Sequence, residues 1–293
     1  MRFATVKING ESEPRLVLEK DSQYYPIAQM RCFDELLRLI SSETEPVVQE
    51  DNKSIVEKLE EFITNQINFG TELDEAEISE FLPPVLNPTK VICVGVNYRD
   101  HIKEMGREIE KAPTLFPKFA QSLLGANQPL RIPFESEKLD YEAELAVIIG
   151  KEMRRVSITE ALSGIAGYTC ANDGSIRDWQ VATSQWMAGK AWDGLTPIGP
   201  VVVTPNELPN KAKIQSRVNG EVRQNSQISE LLFDAPTLIS YISTFTKLLP
   251  GDVILTGTPG GVGVAMKPPS YLKAGDFVEV EIEGIGILRN SVV

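Results

Sequence analysis

One histidine, His101, occurs in 293 residues. A zinc site built on two or three imidazoles is thereby excluded, and any imidazole acid–base chemistry falls to His101. Cysteine is scarce too. Cys32, Cys93 and Cys170 lie far apart, form no CxxC pair and leave an odd count. Neither a thiolate metal site nor an even disulfide framework is expected, and a reducing cytoplasm is the default. An intrinsic metal must then be held mainly by oxygen, which points to Mg²⁺, Mn²⁺ or Ca²⁺. No apolar run approaches the roughly 18 residues of a membrane span. The first ten residues alternate like a strand and carry no apolar signal segment. Basic runs are also missing, and the net charge is −12. That balance argues against a nucleic-acid partner.

What is present is enough apolar material, 42% of residues, for a large core. Residues 1–30 read as short strands, with Asn9-Gly10 as a hairpin turn. Helices are expected around Phe33, Leu36, Leu37 and Ile40, and over Ser54–Ile67. The proline-rich stretch Phe81–Pro88 reads as a linker between a small N-terminal α/β domain, 1–80, and a main domain, 88–293. In the main domain, Val91–Val96 reads as a buried strand and Ser157–Glu160 as a capping box. Ile214–Ile228 reads as a hairpin turning at Asn219-Gly220, Pro236–Leu248 as a helix, Asp252–Thr256 as a strand, and Phe277–Val292 as a closing hairpin. Many strands with few long helices predict an α+β class rather than a doubly wound sheet.

The stretch Leu139–Gly150 reads as one β-strand that Gly150 stops. Side chains two apart on a strand share a face. Glu142 and Glu144 therefore stand together, roughly 6.6 Å apart along the backbone. Tyr141, Ala143, Leu145, Val147 and Ile149 make the other, apolar face. A wet strand end would account for an isolated pair of acids; a buried pair needs a cation or a shared proton. Asp173, ending the strand Gly167–Asp173, adds a third carboxylate, although Asn-Asp-Gly-Ser is also a turn sequence. Three carboxylates suit a hard divalent ion with positions open to water or substrate.

His101 and Glu104 are three apart in a helical turn, so their side chains are neighbours. A carboxylate beside an imidazole orients the ring for general-base work. Lys190, between Gly189 and aromatics, is suited to hold a substrate carboxylate, or else is a solvated loop residue. Thr256–Gly263 is a Gly-rich loop after a strand, which suggests backbone amides aimed at an anion. It is not a Walker A loop, and Lys267-Pro-Pro-Ser follows where a dinucleotide fingerprint would start a helix.

Taken in order, these motifs resemble the fumarylacetoacetate hydrolase superfamily across roughly residues 88–293. The matching stretches are Val94–His101 with Glu104, Asp140–Leu145, Asn172-Asp173 with Arg177-Asp178 and Gln180, Gly189-Lys190 with Pro197–Pro200, and Thr256–Pro259. The resemblance implies a mixed β-roll or barrel-like core, usually in a homodimer. It implies Mg²⁺ or Mn²⁺ held by Glu142, Glu144 and Asp173. Substrates would be small anionic 2-oxo acids with a second carbonyl or an enol. His101, held by Glu104, would activate water or shuttle a proton. Lys190 and Gln180 would stabilise developing charge, Thr258 would hold substrate, and Arg99 is grouped with the substrate-binding residues. The charged segment Arg99–Lys111 would form a lid.

This chain departs from the pattern at Gly174-Ser175-Ile176 and at Ala191-Trp192. Val94 stands where longer members carry a fourth carboxylate ligand. The expectation is metal-dependent hydrolysis of a C–C bond in a 2,4-dioxo acid of the acylpyruvate or fumarylpyruvate type. The same site also suits an isomerase or decarboxylase of a 2-oxo diacid, of the hydroxyheptadienedioate or oxaloacetate type. A relative that had lost catalysis would keep the metal alone.

Overall fold

Runs of β-branched and aromatic residues, punctuated by Gly, Pro and Asn, become strands throughout the chain. The structure, a computed structural model, describes residues 1–42, 53–65, 69–106 and 108–293. The N-terminal strands are β1 (Arg2–Ile8), β2 (Arg15–Lys20), β3 (Gln23–Pro26) and β4 (Ile78–Leu82); helices α1 (Phe33–Ser42) and α2 (Ile55–Asn65) lie between the last two. Next come β5 (Val91–Gly95), α3 (Arg99–Glu104), β6 (Thr114–Lys118), β7 (Leu123–Leu124), β8 (Leu139–Asp140), β9 (Ala143–Ile149) and α4 (Ile158–Leu162). They are followed by β10 (Ile165–Asn172), β11 (Ser175–Ile176), α5 (Arg177–Gln180), α6 (Met187–Lys190) and β12 (Thr196–Val203). The chain closes with β13 (Lys213–Val218), β14 (Glu221–Gln227), α7 (Ala235–Phe245), β15 (Val253–Leu255), β16 (Phe277–Ile282) and β17 (Gly286–Ser291).

Eleven strands form one sheet in the order β3-β2-β1-β12-β10-β9-β15-β5-β6, with β4 on β1 and β7 on β12. Its pairs are antiparallel except β15–β5 and β12–β7. The sheet stays open, with β3 and β6 at its ends. The expected α+β class is what the chain adopts, and the barrel-like core is an open mixed sheet. A four-stranded sheet, β14-β13-β16-β17, covers part of one face: Ile214, Val280 and Ile282 pack with Ala143, Leu145 and Cys170. Helix α7 continues that layer over Val147 and Ile149. On the opposite face α1 and α2 pack Phe33, Leu36 and Leu59 against Ala146, Ile148 and Val253.

The N-terminal strands are part of this sheet. β1 pairs with β12, Arg2 opposite Val203, and with β4. β4 runs into the expected linker at 81–88, so sheet and core both continue across that boundary. Of the expected stripe on α2, Ile67 lies outside the described residues. The hairpin turn at Asn219-Gly220 has φ of 52° and 80°, the left-handed pair that a two-residue turn requires. Ser157 caps α4 by accepting from the Glu160 N–H, as its motif predicts. Helix α7 stops at Phe245 rather than at Leu248, because Thr246 is already extended. Among the described residues, no helix is long and apolar enough to cross a membrane.

The expected single strand Leu139–Gly150 is broken in two, at Tyr141-Glu142. Side chains take the amides there: Asp140 Oδ1 accepts the Tyr141 N–H at 2.9 Å, and Asn172 Oδ1 accepts the Glu142 N–H at 2.9 Å. Beyond the break β9 is buried on both faces, not on one. Alternation puts Glu142 and Glu144 on the side of Ala146 and Ile148, the side covered by α1 and α2.

Phe33 is fully buried in the core shared by α1, α2 and the central strands. Phe33→Ala should cost about 3–5 kcal/mol of stability. Urea unfolding should keep one cooperative transition; two separate transitions would show that residues 1–80 form an independent unit.

Candidate metal centre and active site

Glu144 sits in β9 opposite Ala171 of β10, and β10 ends one residue before Asp173. This register brings Asp173 beside both glutamates. Ligand oxygens of Glu142, Glu144 and Asp173 lie within 4.8 Å of one another, and all three residues are buried. Three buried carboxylates repel, so each needs compensation. Lys190 Nζ lies 2.7 Å from Glu142 Oε2 and 2.7 Å from Asp173 Oδ2. Arg177 Nη1 is 2.7 Å from Glu142 Oε1. Lys118 Nζ, also buried, is 2.6 Å from Asp173 Oδ1.

Among the described residues no cation lies at ion-pair distance from Glu144; it accepts the Gly257 N–H at 2.7 Å. The two glutamates are therefore driven apart. Burial would raise Glu142, but the charges of Lys190 and Arg177 override it and hold that carboxyl below its usual range. Burial, then the charges of Asp173 and Glu142, push Glu144 well above it. Lys190 is raised: burial opposes its charge, and Asp173 and Glu142 more than restore it.

Two observations test whether these residues fit a divalent ion. The three buried carboxylates stand within 4.8 Å of one another, and Glu144 meets a backbone amide where the other two meet cations. Asp173 Oδ1 is buried and meets Lys118 Nζ at 2.6 Å, an ammonium that also donates to Gly174 O and Thr196 Oγ1, so one of its two lone pairs stays open. An all-oxygen cluster with a free buried lone pair fits a hard cation such as Mg²⁺ or Mn²⁺.

A cavity of about 200 Å³ opens beside the cluster, lined by His101, Glu142, Arg177, Gln180, Lys190 and Thr258 among others. His101 is buried, and its Nδ1 lies 3.0 Å from Glu104 Oε2. Val94, at the position of the missing fourth carboxylate, supplies apolar wall. Gln180 Oε1 accepts from Arg177 Nη1 at 2.9 Å. Thr258 Oγ1 accepts from Gln224 Nε2 at 2.7 Å, which leaves its own O–H to donate elsewhere. Arg99 does not join this group. It is exposed and outside the cavity wall. Two residues along a helix is a turn of roughly 200°, so it faces away from His101. Of the expected lid, Arg99–Glu104 is helix α3, and Arg107 lies outside the described residues.

The Gly-rich loop does aim amides at anions, but the anions are the chain's own. Gly257 N–H donates to Glu144, Gly261 N–H to Glu104 at 2.9 Å, and Gly263 and Val264 N–H to Asp140 at 2.8 and 2.9 Å. Gly261 has φ 106°, and a Cβ there would lie 2.0 Å from Arg223 O, so only glycine fits.

Sequence reasoning missed Lys118, Arg177, Asp140 and Gln224 as site residues. Lys118 had a faint signal, since it shares the strand phase of buried Phe116. Arg177 stood in a quoted motif, three residues before Gln180.

Comparison with known proteins agrees with this constellation. The family model described as fumarylacetoacetate (FAA) hydrolase C-terminal matches residues 90–293. The chain belongs to the fumarylacetoacetate hydrolase family. A mitochondrial oxaloacetate tautomerase of Bos taurus is 46% identical over 225 residues, 75% of this chain and 71% of the relative. The 2-hydroxyhepta-2,4-diene-1,7-dioate isomerase of Mycobacterium marinum is similar in structure, with a TM-score of 0.76 and 30% identity over 100% of this chain and 98% of that one. Fumarylpyruvate hydrolase of Pseudomonas aeruginosa, solved with Mn²⁺ and pyruvate, gives a TM-score of 0.65 at 33% identity, covering 73% of this chain and 92% of that one.

Glu142→Gln should weaken Mn²⁺ binding, read by electron paramagnetic resonance, by more than the roughly 10–100-fold typical of losing an outer-shell partner. Unchanged affinity would remove Glu142 from the ligand set.

Proposed function

We propose that this family member is an Mg²⁺- or Mn²⁺-dependent tautomerase of a small 2-oxo diacid, oxaloacetate or a close analogue. The observation that carries this reading is the chain's one imidazole, His101, oriented by Glu104 beside the carboxylate cluster in one small cavity. An enol–keto shift needs one group that takes a proton at carbon and returns it at oxygen. The resemblance to oxaloacetate tautomerases at 46% identity supports the same choice. C–C hydrolysis, the first expectation from the sequence, becomes the second reading, favoured by the likeness to fumarylpyruvate hydrolase.

The ion, held by Glu142, Glu144 and Asp173, supplies Lewis-acid polarisation of the 2-oxo acid when bound. The residues do the rest. With its Nδ1–H donated to Glu104, His101 keeps Nε2 free to take the proton from C3 and deliver it to the oxygen on C2. Glu104 is itself fixed by the Gly261 N–H, so the ring is held in one orientation. Lys190 and Arg177, lining the same cavity, offset negative charge that develops on the C2 oxygen. Thr258 offers a hydroxyl to the substrate, and Gln180 an amide.

A diacid needs one more cation. Arg177 and Lys190 are ion-paired within the site, whereas Lys138 lines the same cavity with no acid at ion-pair distance among the described residues. Lys138 is the residue we assign to the second carboxylate. The cavity is smaller than the roughly 300–1,000 Å³ of drug-sized sites, as a short diacid requires. Cys32, Cys93 and Cys170 are free and buried, which supports a reducing compartment such as the cytoplasm. Assembly as a homodimer is part of the same proposal.

Three measurements test this reading. Decay of enol-oxaloacetate with Mg²⁺ should be faster with the protein than without, and faster than release of pyruvate from an acylpyruvate or of CO₂ from oxaloacetate. Preferential pyruvate release from the acylpyruvate would return the site to hydrolysis. His101→Asn should keep Mn²⁺ affinity and lower kcat by roughly 10²–10⁴-fold. Lys138→Gln should raise KM for the diacid about tenfold, the worth of one charge-assisted hydrogen bond, and leave a mono-acid unaffected; an equal effect on both would release Lys138 from that role.

A further inference from the structure

Asp140 takes no part in the chemistry above, yet it is fully buried and saturated with donors. Its Oδ1 accepts the N–H of Tyr141 at 2.9 Å and of Gly263 at 2.8 Å. Its Oδ2 accepts Arg177 Nε–H at 2.8 Å and the Val264 N–H at 2.9 Å. Both oxygens thus meet two donors each, from three separate segments. A carboxylate satisfies this arrangement and an amide cannot, because either orientation of an Asn would turn its NH₂ toward two N–H groups.

The two sides of this clamp lead to different parts of the site. Arg177, held through Nε, reaches with Nη1 to Glu142 Oε1 at 2.7 Å and to Gln180 at 2.9 Å. Its Nη2 is buried without a partner, in a residue that lines the cavity. Gly263 and Val264 end the loop that also supplies Thr258 and the amides on Glu144 and Glu104. The approach is close: a Cβ on Gly263 would lie 2.6 Å from Asp140 Oδ1 and 2.1 Å from Ser270 O.

We infer that Asp140 is a positioning residue, which fixes the Arg177 guanidinium against Glu142 and clips the glycine loop to β8, just before the break that carries Glu142. It acts through Arg177 and the loop rather than on substrate. The inference rests on the metal centre proposed above, and is independent of which 2-oxo acid reacts.

The experiment is a double-mutant cycle of Asp140→Asn and Arg177→Lys, read by Mn²⁺ affinity from electron paramagnetic resonance and by the split between kcat and KM. A lysine keeps the charge but cannot span Asp140 and Glu142 as the guanidinium does. Each single variant should lose about 10–100-fold in Mn²⁺ affinity or turnover, and the double variant should lose no more than the worse single. Val264→Pro, which deletes one donor and leaves the carboxylate, should shift the same readings in the same direction by less. It covers the case in which Asp140→Asn does not fold. Multiplying effects in the double variant, or wild-type Mn²⁺ affinity and kinetics in Asp140→Asn and Val264→Pro, would overturn the role of Asp140. If the wild-type protein binds no Mn²⁺, the metal centre falls, and the positioning role with it.

Discussion

Repulsion among three buried carboxylates is the constraint on which the rest of the site depends. Glu142, Glu144 and Asp173 lie too close and too dry to stay charged by themselves. The fold answers with cations placed unevenly. Lys190 and Arg177 stand on Glu142, Lys190 and Lys118 stand on Asp173, and Glu144 meets the Gly257 amide. The unevenness is chemically useful. It leaves one carboxyl, pushed above its usual range by burial and its two acidic neighbours, that gains most from added positive charge.

The glycine loop extends the same logic into the backbone. Its amides reach Glu144, Glu104 and Asp140, so one segment orients a member of the carboxylate cluster, the partner of His101 and the anchor of Arg177. Side-chain cations balance charge, and backbone dipoles fix direction. The rigid result suits proton transfer, in which small displacements between base and carbon are costly.

Much of this was legible in the sequence because it is local. Alternation placed Glu142 beside Glu144, and a three-residue spacing placed His101 beside Glu104. The order of the motifs then joined Asp173 to the glutamates. What stayed hidden depends on pairing between distant segments. Lys118 looks like any strand-end lysine until β6 and β10 bring it to Asp173, 55 positions on. Asp140 reads as the polar start of a strand, since nothing local says that Arg177 and Val264 converge on it. The loop reads as amides aimed at an anion, and sequence shows those donors but not which acids they face. The break at Tyr141-Glu142 was invisible for the same reason: Asn172, whose side chain takes the Glu142 amide, is 30 residues away.

Strand β9 carries two obligations at once. Its even-numbered side chains begin with Glu144, one residue past the break that carries Glu142, and continue as Ala146 and Ile148, on which the N-terminal helices rest. A slip of one residue would send Ala143 and Leu145 into the metal centre and bury the acids beneath the second sheet. Core and chemistry would fail in the same step, so a mispaired chain has no half-active form. Drift in the packing of α1 and α2 is thus tolerable only while it leaves this one strand in phase. Selection on catalysis in effect proofreads the fold.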